Sequence, residues 1–153
     1  MISSIMYFSM SVMITIMSFS GVAMKGMYIS RTFNELTPDH VSNAILHIDY
    51  SGTHLEPCYN SEIFKKEIKT YFEKTLINKI DKYKIGFVHY QFDTSSNKYI
   101  YCSGGYSDRI KKIDVYFECT YNIFFTFKGK GSFEVTGDTL WRIKLLSILK
   151  IVF

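Results

Sequence analysis

Cysteine, histidine and carboxylate side chains have the most chemistry to offer in this 153-residue chain, and their spacing argues against a ready-made catalytic centre. Its three cysteines are Cys58, Cys102 and Cys119. They lack the paired short spacing of a zinc site and form no Cys-x-x-Cys redox motif. In an oxidising compartment two of them could bridge, with Cys58 and Cys102 the preferred disulfide; in a reducing one all three stay thiols. Cys119 lies inside a strand pattern and reads as a small core residue. His40 and His47 have no Glu or second His at ligand spacing, so they read as exposed or half-buried positions of a short helix.

A serine or cysteine nucleophile needs a base held beside it, yet no Gly-x-Ser-x-Gly elbow appears and the four histidines sit in no catalytic pattern. Gly129-Lys130-Gly131 and Ser103-Gly104-Gly105 read as turns, because neither has the further glycines and the Lys-Ser or Lys-Thr that cradle phosphate. Asp114, Glu118 and Glu134 could be brought together by folding, but alternating acids on a strand need no function. The expectation is no catalytic residue, no metal, no cofactor and no small-molecule substrate, and hence not an enzyme. Eighteen Lys and Arg against 14 Asp and Glu are scattered through helix and strand patterns, so a nucleic-acid partner is not expected.

The elements explain more than the chemistry does. Ile2 to Met24 carries no charge and is apolar around every face of a helix. At 1.5 Å per residue such a segment covers roughly 35 Å, enough for a bilayer core with some tilt. Its Ser and Thr hydroxyls can bond their own helix carbonyls. Two other readings compete: a cleaved secretory signal, with small residues at Ser18, Ser20, Gly21 and Ala23 but no positively charged start, and a buried helix of a soluble fold. Lys25, Gly26 and Arg31 end the segment.

Thr37-Pro38-Asp39 predicts a helix start, with Val41, Ala44, Ile45 and Ile48 on one face and a stop near Ser51-Gly52. A second helix is predicted from Ser61 to Asp81, started by Asn60 or Ser61, where Phe64, Ile68, Phe72, Leu76 and Ile80 form an apolar stripe. Lys65, Lys66, Lys69, Glu73, Lys74 and Lys79 form its solvated face. Lys84–Phe92 and Lys98–Cys102 read as a hairpin, Ile113 to Phe127 as one long alternating strand, and Ser132 to Thr136 as a last short one before a turn at Gly137-Asp138. The tail Leu140 to Phe153 is too short to span a bilayer comfortably; it reads either as a basic amphipathic segment lying in a membrane surface or, the preferred expectation, as a final strand or helix docked on the sheet. The fold class is therefore α+β: a long N-terminal transmembrane helix, then one or two amphipathic helices packed on an antiparallel sheet of about four strands.

The apolar helix runs through the neck Tyr28-Ile29-Ser30-Arg31-Thr32-Phe33-Asn34-Glu35 into a small helix-and-sheet domain. With the late strands around Val115-Tyr116-Phe117-Glu118-Cys119-Thr120-Tyr121, Phe124 to Phe127 and Phe133-Glu134-Val135-Thr136-Gly137-Asp138, this outline resembles the TadE-like and pilin-like membrane proteins of bacteria. No prepilin cleavage signature with a following Glu is visible. The resemblance implies an anchor at 1–27, an extracytoplasmic domain at 28–153, and a structural or assembly role in a pilus or secretion apparatus. Its partners would be membrane lipid, further copies of itself or other subunits, with Gly21, Ala23 and Gly26 as close-packing points between helices. Lys25 and Arg31 argue the other way on orientation, since basic residues flanking a span favour the cytoplasmic side. The alternative is a tethered module binding a ligand or partner through an aromatic face at Tyr99, Tyr101, Tyr106 and Tyr116.

Overall fold

The structure, a computed structural model, describes residues 2–49, 55–76, 79–102, 109–121, 125–135 and 144–151. Helix α1 takes up Ile2–Asn34, 33 residues or about 50 Å of continuous helix. From Met6 to Ser20 the side chains are exposed, Tyr7, Phe8, Met13, Ile14, Met17 and Phe19 among them. Ser9, Thr15, Ser18 and Ser20 donate to the carbonyls of Met6, Ser11, Ile14 and Met17 at 2.8–2.9 Å, so these hydroxyls are satisfied without water.

From Val22 onward the same helix enters the domain. Gly26, Ile29 and Phe33 are buried, Leu36 follows just beyond the helix end, and Val22 packs against their cluster. These positions recur every three or four residues and so make one face. The last turns of α1 therefore belong to the domain core.

A short 3-10 segment, Pro38–Ala44, follows. His40 closes its start by accepting the Thr37 amide on Nδ1 at 3.1 Å, and its ring lies edge-on to Tyr71 at 4.4 Å. The predicted helix to residue 51 does not form. Val41 has non-helical angles, and the β-branched Ile45 and Ile48 sit instead in strand β1 (Ile45–Asp49), paired antiparallel with β2 (Leu55–Tyr59). His47 is thus an exposed strand residue, while Ser51-Gly52 lies outside the described residues.

Helix α2, Ser61–Leu76, is capped by Asn60, whose Oδ1 accepts the amides of Glu62 and Ile63 at 3.0 and 3.1 Å. Phe64, Ile68, Phe72 and Leu76 are buried as their spacing predicts. The helix does not reach Asp81, whose amide already bonds Thr120 of the sheet.

Strands β3 (Lys82–Asp93), β4 (Lys98–Cys102), β5 (Ile110–Thr120), β6 (Phe125–Glu134) and β7 (Lys144–Ile151) form one antiparallel sheet in the order β4-β3-β5-β6-β7. The long strand predicted from Ile113 is two strands, since β5 ends at Thr120 and β6 begins at Phe125. Gly129-Lys130-Gly131 is the middle of β6 and not a turn. Glycine is required at 129 because the Phe33 ring fills the space of its absent side chain, 2.8–3.0 Å from where a Cβ would stand. The tail is the fifth strand, with Ile151 paired to Phe125 and Lys144 to Ser132. The fold is α+β as expected, with one more strand in the main sheet.

The core lies between the inner face of the sheet and the two helices. Phe33 sits at its centre, with ring centroids 6.0 Å from Phe72, 6.1 Å from Phe117 and 5.9 Å from Phe127. Aromatic pairs of this kind add about 0.5–1.5 kcal/mol each beyond their buried area. A helix turn from α1, one from α2 and two strands are thus clamped at one point.

Candidate functional site

Two surfaces differ from ordinary solvated surface. The first is the bare part of α1, which is long and apolar enough to cross a membrane; its most apolar 18-residue window is 0% buried in the domain. Exposed hydrocarbon on this scale far exceeds what a monomer in water normally carries. Of the three residues predicted to pack helices together, Gly21 and Ala23 are exposed, and a Cβ at Gly21 would meet nothing within 4 Å. Gly26 is already used inside the chain. A Cβ there would lie 2.5 Å from the Tyr121 hydroxyl oxygen, so this glycine admits Tyr121 and is closed to a neighbouring helix.

The second surface is the outer face of the sheet, set by register. Lys84, Glu118 and Lys128 form one rung across β3, β5 and β6; Gly86, Tyr116 and Lys130 the next; Val88, Asp114 and Ser132 a third; Tyr90, Lys112 and Glu134 a fourth. Tyr99 and Tyr101 lie opposite Phe92 and Tyr90 on the β4 edge. The expected Tyr99, Tyr101 and Tyr116 cluster is therefore real in part, while Tyr106 lies outside the described residues.

Among the described residues, Tyr90, Tyr99 and Tyr116 are covered by cations. Lys112 sits over Tyr90 and Tyr99 at 5.5 and 5.2 Å, and Lys130 over Tyr116 at 5.1 Å, so the cations cover the aromatic faces. Asp114 is 3% exposed yet fully engaged: it accepts from Ser132 at 2.6 Å and Tyr90 at 3.3 Å and pairs with Lys130 at 3.0 Å. That bond and the one to Tyr116 hold the Lys130 ammonium above its ordinary pKa. Tyr99 donates to Glu134, and burial together with that bond raises its phenol. Glu118 pairs with Lys128 at 3.1 Å. The three acids considered as a possible carboxylate set are thus each bound to a separate partner. Sequence alone does not reveal that Asp114 is buried, because it alternates with exposed residues; its register between Val88 and Ser132 places it there.

A shallow open depression of about 540 Å³ adjoins this face, lined by Asp81, Lys82, Tyr83, Lys84, Glu118 and Thr120. None of the predicted tyrosines lines it.

Cys58, Cys102 and Cys119 are all thiols in this structure, so the preferred Cys58–Cys102 bridge is not formed here. Cys119 faces the core, where burial pushes its thiol up to about 12. Cys102, half-buried at the end of β4, is the cross-strand partner of His89. His89 is 4% exposed on the inner face, and its Nε2 has no hydrogen-bond partner. Burial and then the Lys65 charge hold its pKa below the usual imidazole value, which favours the neutral ring. Among the described residues, no group of three or more His, Cys, Asp or Glu side chains is placed to hold a metal ion.

No protein-family model, no curated protein and no solved structure matches this chain.

Proposed function

We propose that this protein is a membrane-anchored structural or assembly component, acting through protein-protein contacts of the kind a pilus or secretion apparatus uses. One observation carries the reading: a single continuous helix is bare hydrocarbon over its first part and core residue over its last turns. Lipid solvates the first part, and the sheet is thereby held at a set attitude to the bilayer. The domain lies outside the cytoplasm in this reading, with Gly21 and Ala23 as the remaining close-approach points along the span.

Flotation of the full chain with phospholipid vesicles tests the anchor, and crosslinking within the membrane then tests for copies or partner subunits. A chain that stays monomeric in water without detergent overturns the proposal. Accessibility of a C-terminal tag from outside intact cells tests the orientation.

A tethered binding module is the second reading, favoured by Ile100 and Tyr101, which are 50% and 64% exposed on the edge strand β4. Tyr101→Ala would then release a bound partner while leaving flotation intact.

A further inference from the structure

We infer that the rim of the domain nearest the bare helix is a docking surface for anionic lipid headgroups, an inference that rests on the membrane-anchor reading. The level of this rim follows from three contacts. Tyr71 donates to the Thr32 carbonyl at 2.8 Å, and Tyr28 donates to the Thr75 carbonyl at 3.2 Å, so α2 descends along α1 toward the bare segment. Gly26 meets Tyr121 at the same depth. The end of α2, the start of β3 and the end of β5 at Thr120 and Tyr121 therefore gather where α1 becomes exposed, beside Met24 and Met27 at 67% and 65% exposure.

At that level the exposed charges are mostly cationic. Lys25, Lys74, Lys79 and Lys82 are exposed, and the acids among them are Glu73 and Asp81. Glu73 already accepts from Tyr83 at 2.8 Å and pairs with Lys69 at 3.8 Å. Lys79 is held with its ammonium 3.4 Å from the centre of the Tyr28 ring. A tyrosine at the end of an apolar span, with a cation fixed above it, suits the headgroup layer, where an aromatic body meets hydrocarbon and its polar tip meets water.

A basic residue near an anionic bilayer surface strengthens its contact by about fivefold. The lysines come from α1, α2, the α2–β3 connection and β3, so sequence order hides them and only folding collects them. Occupancy of the rim would hold the domain against the membrane surface and limit tilting of the whole rigid unit.

The test uses the full chain in vesicles of phosphatidylcholine alone and of phosphatidylcholine with about one-third phosphatidylglycerol, read by amide hydrogen exchange. The expected result is at least fivefold slower exchange at 79–82 and 120–121 in the anionic vesicles, with no change at the distal end of α2. High salt abolishes the difference in the unaltered chain, and Lys25→Gln with Lys82→Gln reduces it while sparing the Lys79–Tyr28 contact. Equal exchange in both vesicle types overturns the headgroup inference and leaves the anchor standing. Failure to float with either vesicle overturns the anchor itself, and the inference with it.

Discussion

Placing a methyl group at position 129 is a sharp probe of how the long helix α1 is joined to the sheet. The Cβ of Gly129→Ala would stand 2.8, 2.9 and 3.0 Å from three carbons of the Phe33 ring. Ordinary carbon contacts are about 3.5–4.0 Å, so ring and strand must separate by about 0.5–1 Å. Phe33 cannot yield freely, because Phe72, Phe117 and Phe127 surround it. Overpacking of this kind costs about 1–3 kcal/mol. Replacing glycine within a strand returns about 0.5–1 kcal/mol by restricting the unfolded chain, so the net loss is about 0–2.5 kcal/mol, with about 1 kcal/mol at the centre of the range. In a Phe33→Ala background the clash disappears and only the favourable part remains. Gly129→Ala then stabilises, although Phe33→Ala alone costs about 3–5 kcal/mol. Urea unfolding in lipid nanodiscs, followed by near-ultraviolet circular dichroism of the aromatic cluster, measures all four proteins. Phe33→Leu replaces Phe33→Ala if the latter leaves too little native protein. Equal losses from Gly129→Ala in both backgrounds would refute the account, because the strand glycine would then answer to something other than the helix ring.

Two further outcomes follow from the core. His89 has a folded-state pKa lowered by burial and by Lys65, with Glu62 acting weakly against them, so the unfolded chain binds the extra proton first. Its contribution to stability is complete above the unfolded value of about 6.5 and is lost as pH falls below that toward the lowered folded value. Denaturation midpoints compared at pH 7.5 and 5 should show this loss, and His89→Phe should remove His89's share of it. At the neck, Gly26→Ala should destabilise the domain by about 1–2 kcal/mol by meeting the Tyr121 hydroxyl, and adding Tyr121→Phe should restore most of that loss in thermal unfolding. A Gly26→Ala chain that keeps its stability but loses self-association would instead assign Gly26 to contacts between copies.

Elements with a strong period were legible in the sequence. The stripe Phe64, Ile68, Phe72 and Leu76 and the alternation Ile113, Val115, Phe117 and Cys119 both mark buried faces, because packing rewards the same geometry that sets the period. Short strands were not: β1 and β2 have five residues each, and a proline and an acid beside Thr37 outweighed the β-branched residues that follow. Hydropathy also failed to separate exposed from core-facing residues of α1. Met27 and Ile29 are both apolar, yet one is 65% exposed and the other 0%, because the difference lies in which side of α1 meets the sheet. Gly129 looked like a turn signal for a related reason. A glycine that admits a ring and a glycine that bends the chain are the same letter. Of the candidate surfaces, the tyrosine cluster could be foreseen from composition. The lysine rim could not, since its members come together only in three dimensions.

The unbroken course of α1 through Asn34 also has a mechanical meaning. With Phe33 and Ile29 wedged under the sheet, there is no swivel between the span and its cargo. Turning the helix about its own axis by one residue's step, about 100°, would sweep the outer face of the sheet through the same angle. Copies whose spans meet along a shared seam would then present their sheets at one fixed bearing. A partner reading that bearing would sense how the helices are paired below it.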